Sequence, residues 1–284
     1  MSYIIITPVY NEEKYLSTYL DSIVKQALLP EKLVMVDDNS TDNSSLIINE
    51  YSHKYNWIEY LYRKSEDKKI QGSKVIEAFN YGFNFVKLER VSFISKIDAD
   101  LELPPNYFKN IFKAFSSDPK LGLVGGYIKE LENEEWVAKY DLDYHVRGAL
   151  KSYKKECFQD INGLIPVFGW DGLDEMKIFY KGWKTKNLDI GVKHYRPAAS
   201  DYSSVSLTYK FGKSNYKNGC NLFLAFVRSL VRVKEKPWLI NGAAFFMGYL
   251  SSMIKNDKKN VDKDLSKFIN NFHRKRIYKA FKIR

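Results

Sequence analysis

Apolar positions over the first 130 residues follow two alternating periods. Short β-branched or otherwise apolar runs at Tyr3 to Ile6, Leu33 to Val36, Val91 to Ile97 and Leu121 to Ile128 each read as a strand. Between them, Leu16 to Leu28, a segment capped at Thr41-Asp42-Asn43 and running to Tyr55, Ser73 to Phe85, and Tyr107 to Phe115 space their apolar residues as helices do. The charged cluster from Lys64 to Lys69 predicts a solvated loop, and Leu103-Pro104-Pro105 breaks the chain. Strand alternating with helix predicts an α/β fold, a mostly parallel sheet flanked by helices and joined by right-handed crossovers.

After residue 207 the pattern changes. Asn221 to Val233 reads as an apolar helix with Arg228 and Arg232 four apart, and Trp238 to Ile254 is an uncharged stretch bounded by Trp238, Lys255, Lys258 and Lys259. That stretch is too short and too polar for a bilayer span, which takes about 20 apolar residues. Its flanks predict a segment lying in the bilayer interface rather than a core helix. The net charge of +11 sharpens the division, because residues 208–284 hold 18 Lys and Arg against 4 Asp and Glu, leaving 1–207 slightly acidic. A basic tail suits nucleic acid or an anionic membrane surface; the apolar runs favour the membrane, and no nucleic-acid partner is expected. The expectation is a catalytic domain over 1–207 and a basic, amphipathic helical, membrane-associating tail over 208–284. Cys157 and Cys220 have no metal-type spacing, which argues against a zinc site or disulfide framework and suits a reducing compartment. With no secretory leader pattern at the first residues, the expected location is cytoplasmic, peripheral at the inner face of the cell membrane.

The predicted strands end in polar words: TPVYNE at 7–12, VDDNSTD at 36–42 and DAD at 98–100. A parallel sheet presents ligand groups at the C-terminal ends of its strands, so three such words in order point to one shared site. A lone acidic pair is weak evidence. Together with GWDGLDEM at 169–176 and GWKT at 182–185, the three words resemble the family 2 glycosyltransferases of the GT-A fold, over about the first two hundred residues.

The resemblance implies an inverting, metal-dependent enzyme that moves a sugar from a UDP- or GDP-sugar to a hydroxyl acceptor, possibly lipid-linked, in cell-surface polysaccharide or glycolipid assembly. It implies Mg²⁺ or Mn²⁺ on Asp100, with Asp98 near the metal or the ribose and His194 approaching metal or phosphates. It places Asp38 on the base, has Thr7, Pro8, Tyr10 and Glu12 line the nucleotide pocket, and brings Lys74 to the donor. Counting back from the Gly182-Trp183 turn makes Asp171 the catalytic base, with Asp174 as second candidate and Trp170 standing where the family has another acid.

The chemistry suits those residue types. A hard cation takes carboxylate oxygens, a carboxylate accepts from a base N–H, and direct displacement at an anomeric carbon needs one carboxylate to take the acceptor proton. Plainer readings stand beside these: residues 39–42 as turn and cap, Lys74 as a solvated lysine, His194 as structural, and Trp136 and Tyr140 to His145 as core aromatics rather than a sugar platform. Two other functions fit the same residues. A sugar-phosphate nucleotidyltransferase would carry a glycine-rich phosphate loop after the first strand, which Thr7 to Glu13 lacks, and an inactive nucleotide-sugar-binding scaffold would keep the fold without turnover.

Overall fold

The computed structural model describes residues 2–65, 72–140, 142–196, 205–234 and 236–282. The chain divides into two compact units, Met1–Pro197 and Ala198–Arg284.

In the first unit, β1 (Tyr3–Val9), β2 (Lys32–Asp37), β3 (Ile58–Tyr62) and β4 (Phe93–Ile97) pair in parallel in the order β3-β2-β1-β4. Helices α1 (Glu13–Val24), α2 (Ser44–Lys54) and α3 (Lys74–Asn84) make the crossovers. Every residue from Tyr3 to Ile6 is buried, which explains why the run is apolar without alternation: helices cover both faces of the sheet. The side chains still alternate. Tyr3 and Ile5 join a core with Leu16, Leu20 and Phe108, while Ile4 and Ile6 join a second core with Ile76 and Phe79 of α3.

Beyond β4 the sheet stops being parallel. β5 (Leu101–Glu102) and α4 (Tyr107–Ser117) lead to β6 (Leu121–Glu132), which forms a hairpin with β7 (Glu135–Lys139) through Asn133 and Glu134, both at positive φ. β8 (Leu150–Lys154) enters antiparallel between β4 and β6, and after α5 (Lys155–Asp160) and α6 (Trp170–Tyr180), β9 (Lys184–His194) pairs parallel to β6 and antiparallel to β5. The nine-stranded sheet is therefore mixed, and the expectation of a mostly parallel sheet is corrected. Its physical basis was the strand and helix alternation, which holds only as far as β4; β8 arrives from an irregular segment with no crossover helix to reverse its direction.

The second unit holds α7 (Val205–Lys217), α8 (Leu222–Arg232), α9 (Ile240–Ile254) and α10 (Lys263–Lys282). Asn221 caps α8 by accepting from the Leu224 N–H at 2.9 Å. The expected membrane-associating tail is also corrected. Its two apolar runs, α8 and α9, pack with α7 around Tyr216, Ala225, Phe245 and Tyr249. A Cβ on Gly212 would fall 1.9 Å from the Phe245 carbonyl oxygen, and one on Gly248 2.0 Å from that of Tyr209, so α7 and α9 cross nearly backbone to backbone. The two arginines of α8 are turned onto the unit itself: Arg232 lies 4.7 Å from the Phe245 ring centroid, and Arg228 bonds Asn215, the Cys220 sulfur and His273. Among the described residues no helix is long and apolar enough to cross a membrane.

Candidate active site

The C-terminal ends of β1, β2 and β4 open on a cavity of about 440 Å³ lined by Pro8, Tyr10, Glu12, Asp38, Asp98, Asp100 and Arg196, and closed on one side by Gly72, Lys74, Val75 and Ala78 at the start of α3. Local turns bring these groups together. Asn11 and Asn39 follow β1 and β2 at positive φ, and the two loops are tied where the Asn11 N–H donates to Ser40 and the Thr41 N–H to Asn11 Oδ1. Within VDDNSTD the roles divide by direction. Asp37 accepts from the Ser40 N–H and the Tyr60 hydroxyl and so secures the turn, whereas Asp38 faces the cavity. Asp42 accepts from the N–H groups of Glu13 and Ser44, as turn and cap residues do.

Asp38 is buried and its Oδ1 accepts from Arg63 at 2.5 Å; the same guanidinium reaches Glu77 of α3 at 2.9 Å. Thr7 does not reach the cavity wall. It is fully buried, with its hydroxyl against that of Tyr19. Tyr10 stands at the cavity with 44% of its surface exposed, open to stacking by a planar ligand.

Glu12 is the most perturbed acid of the cavity. Burial first, then the charges of Asp100, Asp98 and Asp42, push its carboxyl up to about 8, against the pull of Arg196. The Arg196 guanidinium contacts Glu12 directly, yet one partly exposed cation does not offset burial plus three acids. Arg196 is the lining residue that sequence reasoning passed over. The signal for it was a cation just beyond His194, and the first three residues past a strand end are where this site collects its charged groups.

The two acids of the DAD word have different surroundings. Asp98 Oδ1 is taken by the ammonium of Lys96, two residues back on the same strand face. Asp100 Oδ2 lies 3.3 Å from His194 Nε2 and 4.0 Å from Arg196 Nε, while its Oδ1 and His194 Nδ1 are buried without a partner. His194 backs Asp100 through the β5 and β9 pairing and is not in the cavity wall. Asp98, Asp100 and His194 thus do not form the expected ligand trio, and among the described residues no group of three or more His, Cys, Asp or Glu could hold a metal ion. The metal-binding reading of the DAD motif is corrected on that ground: one acid is spent on a lysine, and the other is flanked by a histidine and a guanidinium.

α6 begins at Trp170 after Gly169 in the left-handed region, with Asp171 in its first turn. Asp171 is partly exposed, and its main-chain carbonyl accepts from Lys151 at 2.6 Å. A Cβ on Gly148 would meet the Trp170 ring at 2.9 Å and Asp171 Cβ at 3.3 Å, so the bare backbone at Gly148 admits the start of this helix beside it. The Gly148 carbonyl in turn accepts from Lys96, which bonds Asp98, so Gly148 and Lys96 lie between Asp171 and Asp98. Asp174 is placed quite differently. Both its oxygens accept from Lys151 at 2.8 Å, the Tyr153 hydroxyl donates to it, and all three residues are buried. Burial raises the Asp174 carboxyl, with Lys151 pulling the other way and Glu175 adding to the rise. Lys151 is held charged against its own burial by Asp174 and Glu175. Glu175 also accepts from the Val146 N–H at 2.8 Å and pairs with His145 Nδ1 at 3.0 Å, pinning the segment before β8. Trp136 packs edge-on against Tyr195, 5.2 Å between centroids.

Parallel strands ending in turn residues around one cavity, with acids after three of the strands and a helix N-terminus on its wall, define a nucleotide-binding α/β protein of the glycosyltransferase type. The model of Glycosyl transferase family 2 matches residues 4–170, and the chain belongs to that family. It is 33% identical over 114 residues to the minor teichoic acid biosynthesis protein GgaB of Bacillus subtilis, covering 39% of this chain. The chain spans only 12% of GgaB's length. Among solved structures, residues 1–349 of S. aureus TarS in complex with UDP-GlcNAc superpose with a TM-score of 0.59 at 15% identity, covering 90% of this chain and 73% of that one. The mannosyltransferase PcManGT of Pyrobaculum calidifontis, in complex with GDP-Man and Mn²⁺, gives 0.57 at 14% identity, covering 99% and 82%. At such identity these two likenesses speak for the fold.

Proposed function

We propose that the chain transfers a sugar from a nucleoside-diphosphate sugar to a hydroxyl acceptor with inversion at the anomeric carbon. The observation that carries this reading is the convergence of Asp38, Asp98 and Asp100 on one cavity in a chain of this family. In the reading, Tyr10 stacks on the base, Asp38 accepts a base N–H through the oxygen not taken by Arg63, and Asp98 accepts from the ribose. The diphosphate lies at the start of α3, where Lys74 and the helix N-terminus favour an anion, with Arg196 across from it. The acceptor oxygen attacks the anomeric carbon, the bond to the diphosphate oxygen breaks with its electron pair leaving on phosphate, and Asp171 takes the acceptor proton. Asp174 in this reading anchors the helix that carries Asp171.

The cofactor expectation narrows in the same reading. PcManGT holds Mn²⁺ with its donor. Here a divalent ion would come with the donor's diphosphate rather than rest in a cluster of protein ligands. The likeness to GgaB, a minor teichoic acid biosynthesis protein, supports a hydroxyl of a cell-surface polymer as the acceptor class.

The test incubates the full chain with UDP- and GDP-sugars, with and without Mn²⁺, and follows release of nucleoside diphosphate and transfer to a polyol-phosphate acceptor. One donor class should be consumed and the product anomer inverted. Retention of configuration, or no nucleotide bound by any donor, would overturn the reading, and equal donor affinity with and without Mn²⁺ would remove the ion from it. Asp171→Asn should lower transfer by roughly 10²-fold or more while nucleotide affinity stays within about twofold.

A further inference from the structure

We propose that Lys96 is a built-in counter-cation of the donor site: it occupies the electrostatic place beside Asp98 that a divalent ion would need, and leaves Asp100 as the motif acid open to a ligand. Lys96 sits inside β4, a strand whose other residues are Phe93, Ile94, Ser95 and Ile97, and only 1% of its surface is exposed. A lysine so buried needs its charge matched and its N–H groups satisfied. The ammonium bonds Asp98 Oδ1, donates to the Gly148 carbonyl at 2.9 Å, and lies 5.3 Å from the Trp170 ring centroid.

The neighbouring strand makes this arrangement hard to exchange. Register places Lys151 of β8 directly opposite Lys96, and the Lys151 ammonium lies at the same distance, 5.3 Å, from the Trp170 centroid. Asp174 and Glu175 are the acids that neutralise Lys151. They lie on α6, so Asp98 is the acid in contact with Lys96. Were Asp98 to turn to a metal ion, Lys96 would be left charged and buried next to a second ammonium. A dication brought to the same carboxylate would also meet repulsion from Lys96 at close range in a partly dry site. The pairing accords with the absence of a three-ligand group among the described residues, where Asp100 has the His194 ring and the Arg196 guanidinium beside it. In the donor complex, Asp98 then presents its second oxygen as a fixed hydrogen-bond acceptor, and Lys96 acts as the positioning residue that aims it.

The inference deepens the donor-site reading and rests on it for the identity of the cavity, but its test needs no turnover. Mn²⁺ alone is titrated into the nucleotide-free full chain, and free ion is followed by electron paramagnetic resonance. The wild type should bind weakly, Lys96→Met at least about tenfold more tightly, and the double variant Lys96→Met with Asp98→Asn should return to the wild-type level. An unchanged affinity in folded Lys96→Met, or a gain that Asp98→Asn does not reverse, would overturn the proposal. Should Lys96→Met fail to fold, Lys96→Gln, which keeps a donor for Gly148 without the charge, is read the same way. Asp98→Asn alone supplies a last arm: wild-type Mn²⁺ affinity held within about twofold supports the pairing, and a tenfold loss sinks it. A protein that meets these results yet transfers no sugar would fail the functional reading alone.

Discussion

Single side chains in this protein carry pH dependences of opposite sign. The Glu12 carboxyl is raised to about 8, so between its ordinary range near 4.5 and that value the folded chain holds a proton the unfolded chain has lost. Stability from this residue therefore falls as pH rises through that window. Glu12→Gln should melt higher than wild type at pH 8.5, by about 2–4 °C for each kcal/mol recovered, and equal it near pH 4; a scanning calorimetry series reads the difference. His273 runs the other way. Burial first, then Arg228 and Arg276, hold its imidazole down at about 3. Between pH 3 and 6.5 the unfolded state binds the extra proton, so this contribution is complete above 6.5 and is lost as pH falls toward 3. Circular dichroism of the helical unit should show a midpoint falling between pH 7 and pH 4.5, and His273→Gln, which keeps an acceptor for Arg228, should flatten that fall. Asp174 gives the plainest energetic case. Asp174→Asn would leave the Lys151 ammonium buried with half its compensation, costing about 3–5 kcal/mol in a chemical denaturation curve. Asp171→Asn should cost under about 1 kcal/mol, since that side chain is partly exposed. The two acids three residues apart look alike in sequence and separate only by what surrounds them.

At the level of elements, the strands that form the site were legible because their evidence is local. A buried parallel strand is mostly apolar on both faces and ends in groups that can turn, and Tyr3 to Val9 and Lys32 to Asp37 fit that description, as does Phe93 to Ile97 apart from Ser95 and Lys96. The antiparallel half of the sheet was not legible. The β6–β7 hairpin turns on Asn133-Glu134, which lacks the glycine that usually advertises such a turn, and nothing in Leu150 to Lys154 says that it runs against β4. The α7 and α9 crossing offers a direct test. Gly212→Ala places a methyl group 1.9 Å from a main-chain oxygen that cannot rotate away, and should destabilise the helical unit by several kcal/mol, on the order of an overpacked core. Gly172→Ala, at a helix position with open space, should change stability by under about 1 kcal/mol toward the stable side.

For the whole molecule, the division into Met1–Pro197 and Ala198–Arg284 assigns the cavity entirely to the first unit. We propose that the catalytic domain expected over 1–207 corresponds to the first unit and the helical domain expected over 208–284 to the second, with the boundary moved ahead of α7 (Val205–Lys217). A fragment ending at Pro197 should bind its nucleotide within about twofold of the full chain by calorimetry, and a tenfold loss would show that the helical unit completes the site. That Pro8, Tyr10, Glu12, Asp38, Asp98 and Asp100 share one cavity was readable in advance from three polar words in order, because a parallel sheet gathers strand ends without needing to know the rest of the fold. Arg196, the pairing of Lys96 with Asp98 and the sequestering of Asp174 were not, because each depends on which charge a neighbouring loop or strand presents.

Periodicity, turn chemistry and charge belong to short stretches of chain, and they sufficed for β1, β2, β4 and β6, for the helices between them, for the loops that carry the acids and for the point where the composition turns basic; they missed β3, whose Ile58–Tyr62 run buries only Ile58 fully and so shows no continuous apolar stretch, and the two-residue β5. Only the tertiary structure decided that the sheet is mixed, that the apolar runs of the last 80 or so residues pack into their own core, and that one acid of the motif is already neutralised. Burial and ion pairing belong to whatever packs against a residue, and that is set by distant segments.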